Sequence, residues 1–143
     1  MSLPKDSLNI DKENLDLERS ELPRKIFVWG EKLAKARAEA KRVKNVLKLK
    51  AAEIGRKARQ NPLSYFQDGK APSKDAVEEV VLLDGEYQKL QETLIETEEE
   101  QETLEMYLEA LKDKAFGCMN LTELHGQQYW FRNLPNGQRK AKK

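Results

Sequence analysis

The sequence has little of what catalytic and disulfide-linked domains are built from. One cysteine, Cys118, and one histidine, His125, are too few for an internal disulfide or for a typical His/Cys metal site. The seven glycines stand far apart, so no glycine-rich phosphate loop is formed. We therefore expect no enzymatic activity, no bound metal and no cofactor.

Long hydrophobic runs are also missing. The longest apolar runs are four residues, at 26–29 and 80–83, whereas a membrane-spanning helix needs about 20. The first 15 residues mix charges of both signs and lack the apolar stretch of a signal peptide. Together with the single cysteine, these features predict a cytoplasmic protein.

Apolar residues are few but regularly spaced. They make up 38% of the 143 residues and charged residues make up 36%, against about 25% charged in average domains. A chain of this length is one domain's worth of sequence. The regular spacing predicts a folded, elongated protein with a thin core.

The first periodic block places apolar residues at alternating steps of three and four. Such a heptad seam, sustained over four heptads, is typical of a helix packed against another helix. We expect a helix over residues 24–60, with Ser20 as N-cap and Pro23 in its first turn. The seam residues are Ile26, Trp29, Leu33, Ala36, Ala40, Val43, Leu47, Lys50 and Ile54.

The second block, residues 73–116, continues the same alternation without a miss. Ser73 is the expected N-cap of one long helix. Residues 120–125 predict a further short helix that ends in a turn at Gly126. The seam residues are Val80, Leu83, Tyr87, Leu90, Leu94, Thr97, Gln101, Leu104, Leu108, Leu111, Ala115 and Cys118.

The predicted fold class is all-α. Residues 61–72 contain Asn-Pro, Asp-Gly and Ala-Pro turn signals, so the two long helices fold back as an antiparallel hairpin with coiled-coil seams and a short C-terminal helix. We expect a flexible segment at 1–19, a hairpin and oligomerisation domain at 20–131 and a basic tail at 132–143. A two-helix hairpin buries each stripe on one side only, which favours self-association.

Charge is strongly segregated, although the net charge is only +1. Residues 24–60 carry 13 Lys or Arg and 3 Glu, a net charge of +10, while residues 74–114 carry 14 Asp or Glu and 4 Lys, a net charge of −10. Attraction between the two helices, within a hairpin or between subunits, accounts for this pattern. A surplus of basic surface facing a polyanion is a compatible second interpretation.

Cations and aromatic rings meet where the first helix enters the loop. Such a combination suits single-stranded nucleic acid, since cations neutralise phosphates and bases stack on rings. The alternative is that the rings cap the hairpin core and the cations favour the helix C-terminus through its dipole. The candidate binding residues are Arg56, Lys57, Arg59, Tyr65, Phe66 and Lys70.

A second aromatic cluster, Tyr129 to Phe131, precedes the basic tail. Packing against a neighbouring helix or subunit is favoured over base stacking there. The tail suits either contacts with phosphates or solubility. We expect Leu104, Leu108, Leu111 and Trp130 to support oligomerisation.

The order of these features resembles one known family. A Lys57-Ala58-Arg59 triplet ends a long basic helix, the aromatic pair Tyr65-Phe66 and a turn follow, and then come Pro72-Ser73-Lys74, the run VEEVVLLDGEYQKL and LTELHGQQYWF. Over roughly residues 24–131 this order resembles the phage recombination mediators, the UvsY-like proteins. The Asn61-Pro62 pair between triplet and aromatic pair departs from the family pattern.

The resemblance implies a small helical protein that forms a ring of about six or seven subunits and binds single-stranded DNA. It implies that Lys57 and Arg59 contribute to DNA binding and that roughly residues 101–125 contribute to oligomerisation. Its partners would be a RecA-like recombinase and a single-strand-binding protein, in the cytoplasm of a bacterial host. The expected function is loading of that recombinase onto a strand coated by the single-strand-binding protein.

Two other functions compete with this one, and the first fits the heptads and the charge segregation equally well. One is a coiled-coil scaffold, or a hairpin chaperone resembling prefoldin, that binds only proteins. The other is an anchoring or virion structural protein without DNA affinity. The scaffold does not account for the cations and aromatic rings that meet at one loop.

Overall fold

The computed structural model describes residues 2–67 and 69–132, with side chains as far as Gln127. Of the described residues 86% are helical and none is in a strand. A 3₁₀ turn, Lys5–Leu8, precedes the four helices α1 Leu15–Gln60, α2 Pro62–Tyr65, α3 Lys74–Leu83 and α4 Gly85–Arg132. The predicted basic tail from residue 133 onward lies outside the described residues.

The chain divides into two compact units. The first combines the N-terminal residues to Lys32 with the residues from Leu104 onward, and the second is Leu33–Thr103. In each unit α1 packs antiparallel against α4. As the residue number increases along α1, the number of the residue that it contacts on α4 decreases. The all-α class and the packing of one long helix against another are confirmed. The pairs are Glu18–Lys114 and Trp29–Tyr107 in the first unit, and Lys44–Glu98 and Lys50–Glu86 in the second.

The start of α1 differs from the prediction. The helix begins at Leu15, nine residues before the expected start, and Pro23 lies inside it. Ser20 is not the N-cap, because its hydroxyl donates to the Leu17 carbonyl at 2.9 Å. The buried Leu15 and Leu22 extend the heptad seam toward the N-terminus, and this burial outweighs the one backbone hydrogen bond that proline cannot make.

The second block contains a break that periodicity did not reveal. Ser73 caps α3 as predicted, since its hydroxyl accepts from the Ala76 N–H at 3.2 Å. However, α3 ends at Leu83, and the Asp84 carboxylate accepts from the Tyr87 N–H at 2.9 Å and so caps a new helix. The predicted single helix is therefore two helices with a corner at Asp84.

The corner changes which side chains α3 buries. Leu83, expected in the seam, is 78% exposed. Val77 and Val81 are buried in its place. The expected seam on α4 is otherwise buried or half-buried from Tyr87 to Cys118.

The predicted short C-terminal helix and the turn at Gly126 are wrong. α4 continues through both to Arg132. The Thr122 hydroxyl donates to the Cys118 carbonyl at 2.8 Å, one helical turn back. One glycine in a helix costs about 1 kcal/mol, which is too little to end a helix flanked by helix-forming residues.

Residues expected to be flexible pack against the core of the first unit. That core is the cluster Leu22, Tyr107, Leu111 and Cys118, and Leu3, Leu8 and Ile10 cover it. The Ile10 side chain lies against α4 at Gly117, where a Cβ atom would approach it to 3.2 Å. Segment 2–10 is therefore part of the first unit and is called the N-terminal strap below.

Two polar contacts hold the strap on α4. The Tyr107 hydroxyl donates to the Pro4 carbonyl at 3.2 Å, and the Lys114 ammonium donates to the Ser7 carbonyl at 2.6 Å. Lys114 is buried and forms an ion pair with Glu18 on α1. One buried cation thus joins the strap, α1 and α4.

Cys118 is fully buried beneath this arrangement. Burial and the nearby Glu18 carboxylate raise the pKa of its thiol, because both disfavour the thiolate. The predicted role of a small buried hydrophobic residue is confirmed by its complete burial.

The core of the first unit yields a stability prediction. Leu111→Ala should lower the free energy of unfolding by about 2–5 kcal/mol, because Leu111 is fully buried and leaves a cavity. Met106→Ala on the same helix, where the side chain is 72% exposed, should change it by less than about 0.5 kcal/mol. Urea unfolding followed by circular dichroism measures both. Equal effects of the two changes would contradict the assigned core.

Candidate nucleic-acid interface

Three of the four cations of the predicted site lie in the last turns of α1. The helix ends at Gln60, and the Asn61 N–H bonds to the Lys57 carbonyl at 3.0 Å. Arg56, Lys57 and Arg59 are all exposed there. Positive side chains at a helix C-terminus are favoured by the helix dipole, so their position alone does not require a ligand.

Lys57 is not a free charge. Its ammonium contacts the Glu53 carboxylate one turn earlier at 2.9 Å. The hydrogen bond from Lys57 and the charge of Lys50 lower the pKa of Glu53. Glu53 therefore stays ionised near neutral pH and neutralises part of the positive charge at this end of α1.

Lys50 links this group of charges to α4. Its ammonium lies 2.5 Å from the Glu86 carboxylate on α4, and this hydrogen bond raises the pKa of Lys50. The side chain of Lys50 fills the seam position for which the sequence offered no apolar residue. Its role is pairing with α4, so it is not available to an anionic ligand.

Arg56 and Arg59 carry the available charge. Within residues 2–67 and 69–132 neither forms an ion pair. The Arg59 guanidinium lies beside Gly55, where a Cβ atom would be 3.9 Å from its Nη2. These two guanidinium groups are therefore free to contact phosphates.

The aromatic pair is divided between two roles. Tyr65 ends α2 and is 43% exposed, whereas Phe66 is half-buried and its N–H bonds to the Pro62 carbonyl at 2.7 Å. The Tyr65 ring is accessible to a stacking base. Phe66 partly fits the alternative of a ring that caps the hairpin core. Lys70 is exposed and takes part in an interaction of its own.

A glycine fixes the turn that follows the rings. Gly69 has φ of +62°, and a Cβ atom on it would lie 2.7 Å from Leu63 Cδ2. Both the left-handed backbone and the contact with Leu63 exclude a side chain there. Gly69 thus determines how the chain returns from α2 toward α3.

Buried side chains of α1 and α3 support the end of the second unit that carries the loop. Ile54 and Ala58 of α1 and Val77 of α3 are buried. At Gly55 a Cβ atom would come within 3.3 Å of Val77 Cγ1, so α3 crosses α1 closely at this glycine. The exposed cations and rings therefore project from helices and turns that are fixed by the second unit's core. We call Arg56, Lys57, Arg59, Tyr65, Phe66 and Lys70 the cation–aromatic end.

A second charged feature was not singled out from the sequence. A groove of about 420 Å³ in the second unit is lined by side chains of opposite sign from α1 and α4. Lys44 and Glu98 pair across it at 3.4 Å. The sequence does contain a signal for this groove, because charges of opposite sign recur at helical spacing along α1 and α4. The net charges of the two segments conceal that spacing. The other lining residues are Arg37, Ala40, Lys41, Gln101 and Glu102.

The residues expected to support oligomerisation lie mostly inside a single copy. Leu104 is 2% exposed, Leu111 is fully buried and Leu108 is half-buried. In this conformation Leu104 and Leu111 pack within their own chain rather than facing a second copy. Trp130 is on α4, but its side chain lies outside the described residues. Contact with other subunits stays a prediction.

Two observations concern classes of function other than DNA binding. Across the described ranges no three His, Cys, Asp or Glu side chains are grouped to hold a metal ion. No helix in those ranges has the length and apolar character needed to cross a bilayer.

Comparison of the chain with protein-family models, with curated proteins and with solved structures finds no match.

The turn at Gly69 yields a testable prediction. Gly69→Ala should lower the free energy of unfolding by about 1–2 kcal/mol, because alanine is strained at positive φ and its Cβ meets Leu63. Gly30→Ala, in mid-helix with no atom within 4 Å of the new Cβ, should instead raise it by about 0.5–1 kcal/mol. Thermal unfolding compares the two. An unchanged stability of Gly69→Ala would contradict the assigned turn.

Proposed function

We propose that this protein is a non-enzymatic, single-stranded-DNA-binding recombination mediator. It assembles into a ring and helps load a RecA-like recombinase onto strand coated by a single-strand-binding protein, in the cytoplasm of a bacterial host. The observation that carries the proposal is the cation–aromatic end, where free guanidinium groups in the last turns of α1 are followed along the chain by the exposed ring of Tyr65 on α2.

The chemistry of that end supports a single strand over a duplex. Guanidinium groups neutralise phosphates of any nucleic acid, but a duplex keeps its bases stacked inside. A single strand offers unstacked bases, and each base that stacks on a ring contributes about 1–3 kcal/mol. Tyr65 supplies such a ring on α2, the helical turn that follows Arg56 and Arg59 along the chain.

One copy of this site would bind weakly, because it offers one accessible ring and two free guanidinium groups. Several copies on a ring would bind one strand together, since each further contact is intramolecular once the first has formed. Bending the strand around such a ring would weaken the hold of the single-strand-binding protein. The recombinase would then receive the freed strand and supply the ATP hydrolysis.

The resemblance of the sequence to the phage recombination mediators supports the same assignment. The triplet Lys57-Ala58-Arg59 of that resemblance closes α1, and the aromatic pair follows across α2. The departure at Asn61-Pro62 has a structural counterpart, because Pro62 begins the one-turn helix α2. In this chain the rings are therefore presented by a helical turn.

A double substitution tests the site. Lys57→Ala with Arg59→Ala should weaken binding of a labelled single-stranded oligonucleotide in fluorescence anisotropy. Loss of the Arg59 phosphate contact should also reduce the slope of log affinity against log salt by about 0.7, because Lys57 is already paired with Glu53. Lys12→Ala with Lys35→Ala removes the same charge from exposed positions outside this end and should leave both quantities nearly unchanged.

The ion pair between Lys57 and Glu53 gives a test in the opposite direction. Glu53→Gln should tighten single-strand binding, because it removes a negative charge that neutralises Lys57 at 2.9 Å. Asp75→Asn on α3 removes one exposed negative charge elsewhere in the unit and serves as the control. Equal binding by wild type and by the Lys57→Ala, Arg59→Ala protein would contradict the proposed site.

A protein-only coiled-coil scaffold is the second candidate. The pairing of basic α1 with acidic α4 through Lys44–Glu98 and Lys50–Glu86 favours it. The same anisotropy series separates the two functions, with a duplex control. Salt-sensitive binding that prefers the single strand supports the mediator, whereas absence of binding at low salt favours the scaffold.

A further inference from the structure

Each long helix of the second unit has a second stripe on the side opposite its seam. On α1 this stripe repeats in steps of four and three residues and contains only alanine, asparagine and lysine. On α4 a stripe with the same steps contains acids, Gln and one apolar residue. The basic stripe is Ala34, Ala38, Lys41, Asn45, Lys48 and Ala52, and the acidic stripe is Gln88, Glu92, Ile95, Glu99 and Glu102.

Both stripes are open to solvent. All eleven residues are exposed except Ala38, which is half-buried, and Ile95 is 56% exposed despite its apolar side chain. In the part of the chain that the structure describes, the two lysines and three glutamates of the stripes form no ion pair. Charges of both signs are therefore left without an ion-pair partner on the exposed faces of one unit, where Lys41 and Glu102 also border the groove between α1 and α4.

The stripes match each other in spacing as well as in charge. Lys41 and Lys48 are seven residues apart, and so are Glu92 and Glu99, which places each pair about 10.5 Å apart along its helix. Alanine on α1 allows a second helix to approach closely, and Ile95 supplies an apolar side chain to lie among these small residues. An apolar centre with a charged rim is the usual composition of a protein interface.

A nucleic acid does not account for both stripes. The basic stripe alone would attract a polyanion, but the acidic stripe repels one and requires a cationic partner. The chain itself supplies such a partner with matched spacing. We propose that the basic stripe of one copy docks on the acidic stripe of a second copy of this chain.

The contact is head-to-tail. The basic stripe of each copy contacts one neighbour and its acidic stripe contacts another, so the two surfaces that meet at each contact are different. Repetition of such a contact closes a ring or extends a filament. This proposal gives the oligomer of the proposed function its contact surface and rests on that oligomer, but it does not depend on DNA.

Charge reversal tests the contact by its pattern. Glu92→Lys with Glu99→Lys disables the acidic stripe, and Lys41→Glu with Lys48→Glu disables the basic stripe. At low salt and without DNA, light scattering after size exclusion should give the mass of one chain, 16.6 kDa, for each variant alone. An equimolar mixture should recover the large assembly, because each variant then meets stripes of opposite charge.

A matched control separates stripe charge from total charge. Glu78→Lys with Glu79→Lys alters net charge as the acidic-stripe variant does, at exposed positions on α3, and should keep the mass of the wild-type assembly. Circular dichroism verifies that every variant is folded. High salt should dissociate the wild-type assembly.

Two results would overturn the proposal. One is a wild-type protein that has the mass of one chain at low salt. The other is assembly of each stripe variant alone as well as wild type, which would place the subunit contact elsewhere. The first result would also contradict the ring of the proposed function, whereas the second leaves the cation–aromatic end unaffected, since its binding is measured separately by anisotropy. Loss of that binding with intact assembly would in turn contradict only the proposed function.

Discussion

The seam between α1 and α4 is the constraint on which each unit depends. With apolar residues this sparse, a helix can bury only one stripe, and the stripe of α1 is buried against that of α4 in both units. The remaining faces are left to charges, which explains why the surface is strongly basic along one helix and strongly acidic along the other. The exposed cations at the end of α1 and both charged stripes lie on those remaining faces.

Much of the helical structure follows from local sequence rules. The end of α1 at Gln60 precedes Asn-Pro, and the cap at Ser73 is the residue type that helix starts prefer. Three boundaries do not follow from such rules. Pro23 and Gly126 are breakers that burial and long flanking helices outweigh, and Asp84 ends a heptad pattern by capping the next helix with its side chain.

The candidate site shows a similar division. Its cations and rings were identified from their order in the sequence, and the structure places them in one unit near the end of α1. The pairing of Lys57 with Glu53 follows from their spacing of four in a helix. The turn at Gly69 and the crossing at Gly55 depend on contacts between elements, which periodicity does not specify.

The N-terminal strap is the part of the fold that sequence patterns predict least well. Its contacts join residues more than a hundred positions apart, such as Tyr107 and Pro4, and its composition is that of a mobile terminus. The buried lysine that holds it is charged, and charged residues are seldom buried without a partner. Lys114 has two, the Glu18 carboxylate and the Ser7 carbonyl.

The placement of the aromatic residues divides the chain's fluorescence between the units. Both tryptophans belong to the residue ranges of the first unit, and the Trp29 ring lies edge-on to Tyr107 at 4.9 Å with Lys32 over its face. The second unit contains Tyr65 and Tyr87 but no tryptophan. Fluorescence excited at wavelengths that only tryptophan absorbs therefore reports on the first unit. Tyrosine fluorescence also reports on the second unit, which carries the cation–aromatic end. The unmodified protein thus carries its own pair of optical probes.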